Sequence, residues 1–211
     1  MPIVSLAHKR GCTGKEENMM PSNFSWPLIV KLLIFLLASA GNVWISRASL
    51  RTPRSHGFYR FFAWEFMLIL FLLNVDRWFT APLAWNQWIS WLLLFASLVP
   101  LAFGVRSLVK KGKPVDRRDG EPQLLAFEKT SALVTSGVYR YIRHPLYSSL
   151  LFLAWGIFFK SLTWPGAALT LAATVCLFAT ALADEAECVR FFGEAYREYM
   201  KRSKRFVPFL F

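Results

Sequence analysis

The residues best suited to chemistry fall in two clusters that lie far apart in the chain. One is Arg143-His144-Pro145-Leu146-Tyr147 and the other is Asp184-Glu185. Pro145 suits the first turn of a helix, where its missing N–H would be unbonded anyway. His144 is then the cap, beside backbone N–H groups and the positive end of the helix dipole. Such an end attracts a carboxylate or phosphate. The acidic pair offers the converse, an acceptor for a cation.

Both clusters sit where a hydrophobic segment ends. The segments, about 145–163 and about 165–183, predict an antiparallel hairpin, with Trp164-Pro165-Gly166 as a tight turn. His144 lies 21 residues before Pro165 and Glu185 lies 20 after it. At about 1.5 Å of rise per residue, both return to one membrane face, roughly 30 Å from the turn. The two clusters are therefore expected to be neighbours. An amino-acid-like ligand suits the pair, its carboxylate at the helix start and its positive charge at Asp184 or Glu185. S-adenosyl-L-methionine has that charge pattern, and its adenine can pack on Tyr139 or Tyr147. An interfacial salt bridge from Arg143 to the acidic pair accounts for the same residues, and spacing alone leaves both open.

The rest of the chain sets these clusters in a membrane. Of 211 residues, 55% are hydrophobic and 17% aromatic, too apolar for an ordinary soluble domain. The expected fold is all-α and polytopic, with about five transmembrane helices and a cytosolic C-terminal helix. The spans are roughly Trp26–Ser46, Phe58–Val75, Trp88–Gly104, Pro145–Thr163 and Trp164–Ala183, each near the ~20 residues a bilayer needs. Residues 1–24 read as a flexible polar tail rather than a signal peptide, and 25–211 as a single membrane domain. The net charge of +12 sits mostly in Arg47–Arg60, Val105–Arg143 and the C-terminal segment. Placing these on one side satisfies the positive-inside rule and makes the C-terminus cytosolic. The membrane is the endoplasmic reticulum in a eukaryotic source and the inner membrane in a bacterial one. Basic residues between hydrophobic segments favour the lipid bilayer over nucleic acid as partner. Cys12, Cys176 and Cys188 have no metal-ligand or paired spacing, so neither metal nor disulfide is expected. No glycine-rich dinucleotide loop is present.

The ordered set Leu133-Val-Thr-Ser-Gly-Val-Tyr139, Arg143-His-Pro-Leu-Tyr147, Asp184-Glu185, Phe191-Phe-Gly-Glu-Ala-Tyr196, Tyr199-Met-Lys-Arg202 and Pro208-Phe209 resembles the isoprenylcysteine carboxyl methyltransferases. The wider group includes phospholipid N-methyltransferases, and the likeness runs from about Leu133 to the C-terminus. It implies methyl transfer from S-adenosyl-L-methionine, bound under a lid made by the C-terminal segment, to a lipid-modified acceptor. The acceptor it implies first is a prenylated cysteine carboxylate. Carried onto this chain, the cofactor contacts are Ser131, Ala132, Leu133, Val134, Tyr139, His144, Pro145, Leu146, Tyr147 and Asp184, with Glu185 beside it. The site as a whole draws on 131–147 and 180–205. Asp184 stands where that family usually has Glu. Thr180 stands where the prenylcysteine enzymes have a substrate-binding Arg, and Arg202 or Arg143 is the expected substitute for orienting and activating the acceptor.

The chemistry depends on the acceptor. A carboxylate is already ionised at neutral pH and needs no base, only alignment with the methyl and sulfonium. Arg202 would hold it through two parallel hydrogen bonds. An amine acceptor must lose a proton, with His144 or Glu185 as candidate bases. A non-catalytic scaffold of the same fold is the alternative from outside the enzymes. Among the remaining residues, Glu65 is expected to be paired inside the bundle. Lys31 is expected to reach the interface, with Trp78, Trp85 and Trp88 as anchors and Phe206–Phe211 dipping back into it. His8 and His56 carry no signal.

Overall fold

The computed structural model describes residues 25–112 and 130–207. The tail 1–24, the basic residues Lys113, Arg117, Arg118 and Lys129, and the end of the chain from Pro208 lie outside the described residues. Six α-helices follow in order: α1 (Leu28–Leu50), α2 (His56–Asn74), α3 (Trp85–Lys111), α4 (Pro145–Phe158), α5 (Trp164–Phe192) and α6 (Glu194–Arg202). Short 3-10 turns occupy Val75–Arg77 and Gly137–Arg140. Four helices, Leu28–Leu50, His56–Arg77, Trp85–Lys111 and Trp164–Phe192, are long and apolar enough to cross a membrane. This is an all-helical, multi-pass membrane architecture.

The fifth expected crossing is shorter than its hydropathy suggests. α4 has 14 residues, about 21 Å of helix against a hydrocarbon core of about 30 Å. Its end is set by polar side chains of α2 and α3 that satisfy carbonyls a longer helix would have bonded itself. Asn74 Nδ2 donates to the Ile157 carbonyl at 2.8 Å, Ser90 Oγ to Gly156 at 2.7 Å and Asn86 Nδ2 to Phe159 at 3.0 Å. Gln87 Nε2 reaches the Lys160 carbonyl at 3.1 Å. Lys160 is buried there, its ammonium 3.6 Å above the Trp91 ring, 5.2 Å from Trp78 and 3.1 Å from Gln87 Oε1. Trp78 thus packs on a protein cation, while Trp85 and Trp88 are exposed as interface anchors would be.

Two boundaries differ from expectation in ways that matter for the site. Trp164-Pro165-Gly166 is not the turn but the first turn of α5, capped by Thr163 Oγ1, which accepts from the Gly166 N–H at 3.2 Å. The chain reverses over 159–163 instead. At its other end α5 runs on past Ala183, so Asp184 and Glu185 sit on the same rigid helix as the apolar span. The break comes at Gly193, whose φ of 60° suits a residue without Cβ and turns the chain into α6.

α3 packs along α4 and α2 along α5, while α1 leans on α2 at the periphery. Gly104 permits the close approach of α3 to the start of α4, since a Cβ there would lie 3.1 Å from Pro145 Cγ. Glu65 is paired as expected, accepting from Ser39 Oγ at 2.6 Å and Asn42 Nδ2 at 2.7 Å. Lys31 pairs with Asp76 of the α2–α3 connection. Phe206 does not dip outward: it is buried against Tyr147 and Ala181, with its ring 4.7 Å from that of Phe178.

Candidate functional site

The starts of α2 and α4 and the ends of α3 and α5 meet at one end of the bundle. A cavity opens between them, closed on one side by α6. It encloses about 700 Å³, mouth included, within the range of cofactor-sized sites. The hairpin brings its two clusters together: His144 Nδ1 lies 3.4 Å from Asp184 Oδ2, and Tyr147 donates its hydroxyl to Asp184 Oδ2 at 3.2 Å. The His144 and Tyr147 rings stack at 5.3 Å.

Of the residues named from sequence, Ala132, Leu133, Val134, Tyr139, Arg143, His144, Pro145, Leu146, Tyr147 and Asp184 line the cavity. Four do not. Ser131 is exposed outside it, although its neighbour Ala132 is tied by an N–H bond to the Gly112 carbonyl at 3.1 Å. Arg202 is exposed at the end of α6. Thr180 is fully buried and donates back to the Cys176 carbonyl at 2.7 Å, a helix-internal bond. Glu185 lies behind the wall and acts as its clamp.

That clamp holds three cationic partners. Arg143 Nε donates to Glu185 Oε1 at 2.9 Å, and Arg205 donates through Nε to Oε1 at 3.0 Å and through Nη2 to Oε2 at 2.8 Å. His144 Nε2 lies 3.3 Å from the same Oε1. Arg143 Nη1 also donates to the carbonyls of Met200 and Ser203. Burial disfavours a charged His144, but its contacts with Asp184 and Glu185 prevail and hold its pKa above the ordinary value. His144 is thus an imidazolium between two carboxylates, unsuited to accept a proton.

The C-terminal segment is stitched to the helix start by backbone bonds. Arg143 N–H donates to the Lys204 carbonyl at 2.7 Å, His144 N–H to Arg205 at 3.1 Å, and Ser148 Oγ to Phe206 at 2.8 Å. The cap N–H of His144, expected to be open to an anion, is therefore used by the protein itself. Pro145-Leu146-Tyr147 remains as the helix start facing the cavity. Tyr196 and Tyr199 line the opposite wall, and burial raises both phenol pKa values well above the ordinary range. They are neutral hydroxyls, and Tyr199 donates to the Tyr139 carbonyl at 2.6 Å. Among the described residues, no three His, Cys, Asp or Glu side chains gather as a metal set.

Sequence reasoning missed two lining residues that bear chemistry, His56 and Cys188. His56 is the first residue of α2, and no local pattern ties it to residues more than a hundred positions later. Cys188 stands one turn after Asp184 and contacts its Oδ1 at 3.5 Å, a spacing visible in sequence once α5 is known to continue.

A family model described as phospholipid methyltransferase matches residues 123–196, about a third of the chain. That family of membrane methyltransferases is related to the isoprenylcysteine enzymes. The match takes in most of the cavity wall, from Ala132 through Asp184 to Tyr196. No curated protein and no solved structure matches the chain. The match and the apolar helices together support a membrane methyltransferase.

Proposed function

We propose that the protein transfers a methyl group from S-adenosyl-L-methionine to the amine of a lipid acceptor at the membrane interface. The observation that carries this is the pairing of a carboxylate with a helix start across one cavity. Asp184 offers a site for the donor's ammonium, and Leu146 and Tyr147 begin a helix whose dipole favours its carboxylate. Ala132, Leu133, Val134 and Tyr139 form an apolar and aromatic wall for the adenosine part. When bound, the donor supplies an electrophilic methyl group on a sulfonium. Arg143, His144 and Arg205 are the cationic frame that keeps Asp184 and the helix start in place. The cavity end of the bundle faces the cytosol, in the endoplasmic reticulum or a bacterial inner membrane according to source.

The amine is favoured over a carboxylate by the disposition of the arginines. Arg143 and Arg205 are committed to Glu185, and Arg202 points away from the cavity. The matched family is also described by phospholipid substrates. The second reading is carboxyl methylation of a prenylated cysteine, supported by Arg143 on the cavity wall and by the motif resemblance. Transfer of tritium from labelled donor distinguishes them, because a methyl ester is released by alkali and an N-methyl group is not. Alkali-stable label on phosphatidylethanolamine is the expected result. Label only on acetylfarnesylcysteine, released by alkali, would establish the second reading.

A further inference from the structure

An amine acceptor needs something the two sequence-expected bases do not supply. An alkylammonium titrates near pH 10, carries no lone pair until it loses a proton, and is mostly protonated at neutral pH. His144 is held as an imidazolium, and Glu185 is bound by two guanidinium groups. Tyr196 and Tyr199 keep their protons.

A different pair meets the requirement. His56, 1% exposed, and Glu187, 3% exposed, are joined twice: the His56 backbone N–H reaches Glu187 Oε1 at 3.0 Å, and His56 Nδ1 lies 2.6 Å from Oε2. His56 also lines the cavity that holds Asp184, Tyr147 and Cys188. An ionised carboxylate only accepts, so it fixes the proton of a neutral ring on Nδ1 and puts the lone pair on Nε2. The second bond, from the first N–H of α2, stops the carboxylate from swinging. A carboxylate orienting a histidine whose other nitrogen serves a substrate is the arrangement a general base requires.

We propose that His56 is the catalytic base of the methyl transfer and that Glu187 is its positioning residue; the assignment rests on the amine methylation proposed above. His56 Nε2 takes an N–H proton from the acceptor ammonium. The freed nitrogen lone pair forms the N–C bond to the methyl carbon as the C–S bond of the donor breaks, and that electron pair stays on sulfur as a thioether. Glu187 stabilises the resulting imidazolium without taking its proton. The other titratable groups on the cavity wall are Arg143 and His144 at the start of α4, Asp184 and Cys188 of α5, and the tyrosines of the turn, α4 and α6.

The test uses the full chain in mixed micelles, with dioleoylphosphatidylethanolamine and acetylfarnesylcysteine as separate acceptors. His56→Gln is expected to lower kcat on the amine about 100-fold, with KM and donor affinity changed less than about twofold. Wild-type kcat should rise with pH through one ionisation that His56→Gln lacks, and added imidazole should partly restore His56→Ala. Glu187→Gln, which keeps a hydrogen-bonding group at the same place, should lose about tenfold and carries the test if His56→Gln no longer binds donor. Nitrogen NMR of labelled histidine should show His56 as the Nδ1–H tautomer, a preference weakened in Glu187→Gln. Equal amine kcat in wild type and in variants that bind donor would overturn the base assignment and leave the enzyme's function standing. Wild-type methylation of acetylfarnesylcysteine alone would overturn the amine assignment with it. Failure to label either acceptor would overturn the methyltransferase function itself.

Discussion

Two acid–histidine contacts lie within one turn of α5, and they differ in how many partners the acid has. Glu185 is shared by Arg143, Arg205 and His144, so its charge is saturated and its histidine is held protonated. Glu187 meets His56 through both of its oxygens, a contact that orients a ring rather than charging a cluster. The first arrangement ties α4, α5 and the C-terminal segment together. The second leaves one proton to be moved at the cavity wall. The same residue types thus serve as a clamp or as a proton acceptor according to what surrounds the carboxylate.

Removing the clamp should produce the largest effect. Glu185→Ala leaves two guanidinium groups and an imidazolium packed together without their counter-ion, and breaking a buried ion pair from one side costs about 3–5 kcal/mol. The expected outcome is loss of the cooperative thermal transition in detergent, with proteolysis entering at the 203–207 segment. A Glu185→Ala protein as stable as wild type would remove the distinction between the two contacts.

The protonated state of His144 gives a pH signature of the clamp alone. Its folded pKa is raised, so its contribution is fully present below the unfolded value of about 6.5 and is lost as pH rises through the folded value. The thermal midpoint of wild type should therefore fall across that interval. His144→Gln should flatten the dependence, which a series of melting curves from about pH 6 to 9 would show.

Smaller changes follow outward from the cavity. Tyr147→Phe removes one hydrogen bond to Asp184 and should weaken donor binding by about 1 kcal/mol, roughly fivefold. Arg202→Ala should alter donor binding and transfer by less than about twofold, because an exposed arginine away from the cavity contributes little. A large loss in Arg202→Ala would bring α6 back into the reacting site and favour the carboxylate acceptor.

Much of this architecture was legible from the chain because hydrophobic length and charge placement are local signals. The meeting of His144 with Asp184 followed from counting residues on either side of Pro165, and it survives the finding that the reversal lies at 159–163 rather than at Trp164-Pro165-Gly166. The shortness of α4 was not legible, since it depends on Asn74, Asn86, Gln87 and Ser90 from other helices capping its end. Burial of Phe206 was hidden for a similar reason: backbone pairing of 204–206 with the motif turns it inward. His56 was passed over because its role depends on a partner 131 residues away. Arg202, chosen for its charge, lies outside because α6 presents Tyr196 and Tyr199 to the cavity instead.

The most direct test of the donor site is calorimetric titration of the detergent-purified protein with S-adenosyl-L-methionine, comparing wild type with Asp184→Asn. One saturable site per chain, weakened about tenfold or more by a substitution that removes only the charge, is the predicted result. No binding to folded wild type, or equal binding by Asp184→Asn, would contradict it.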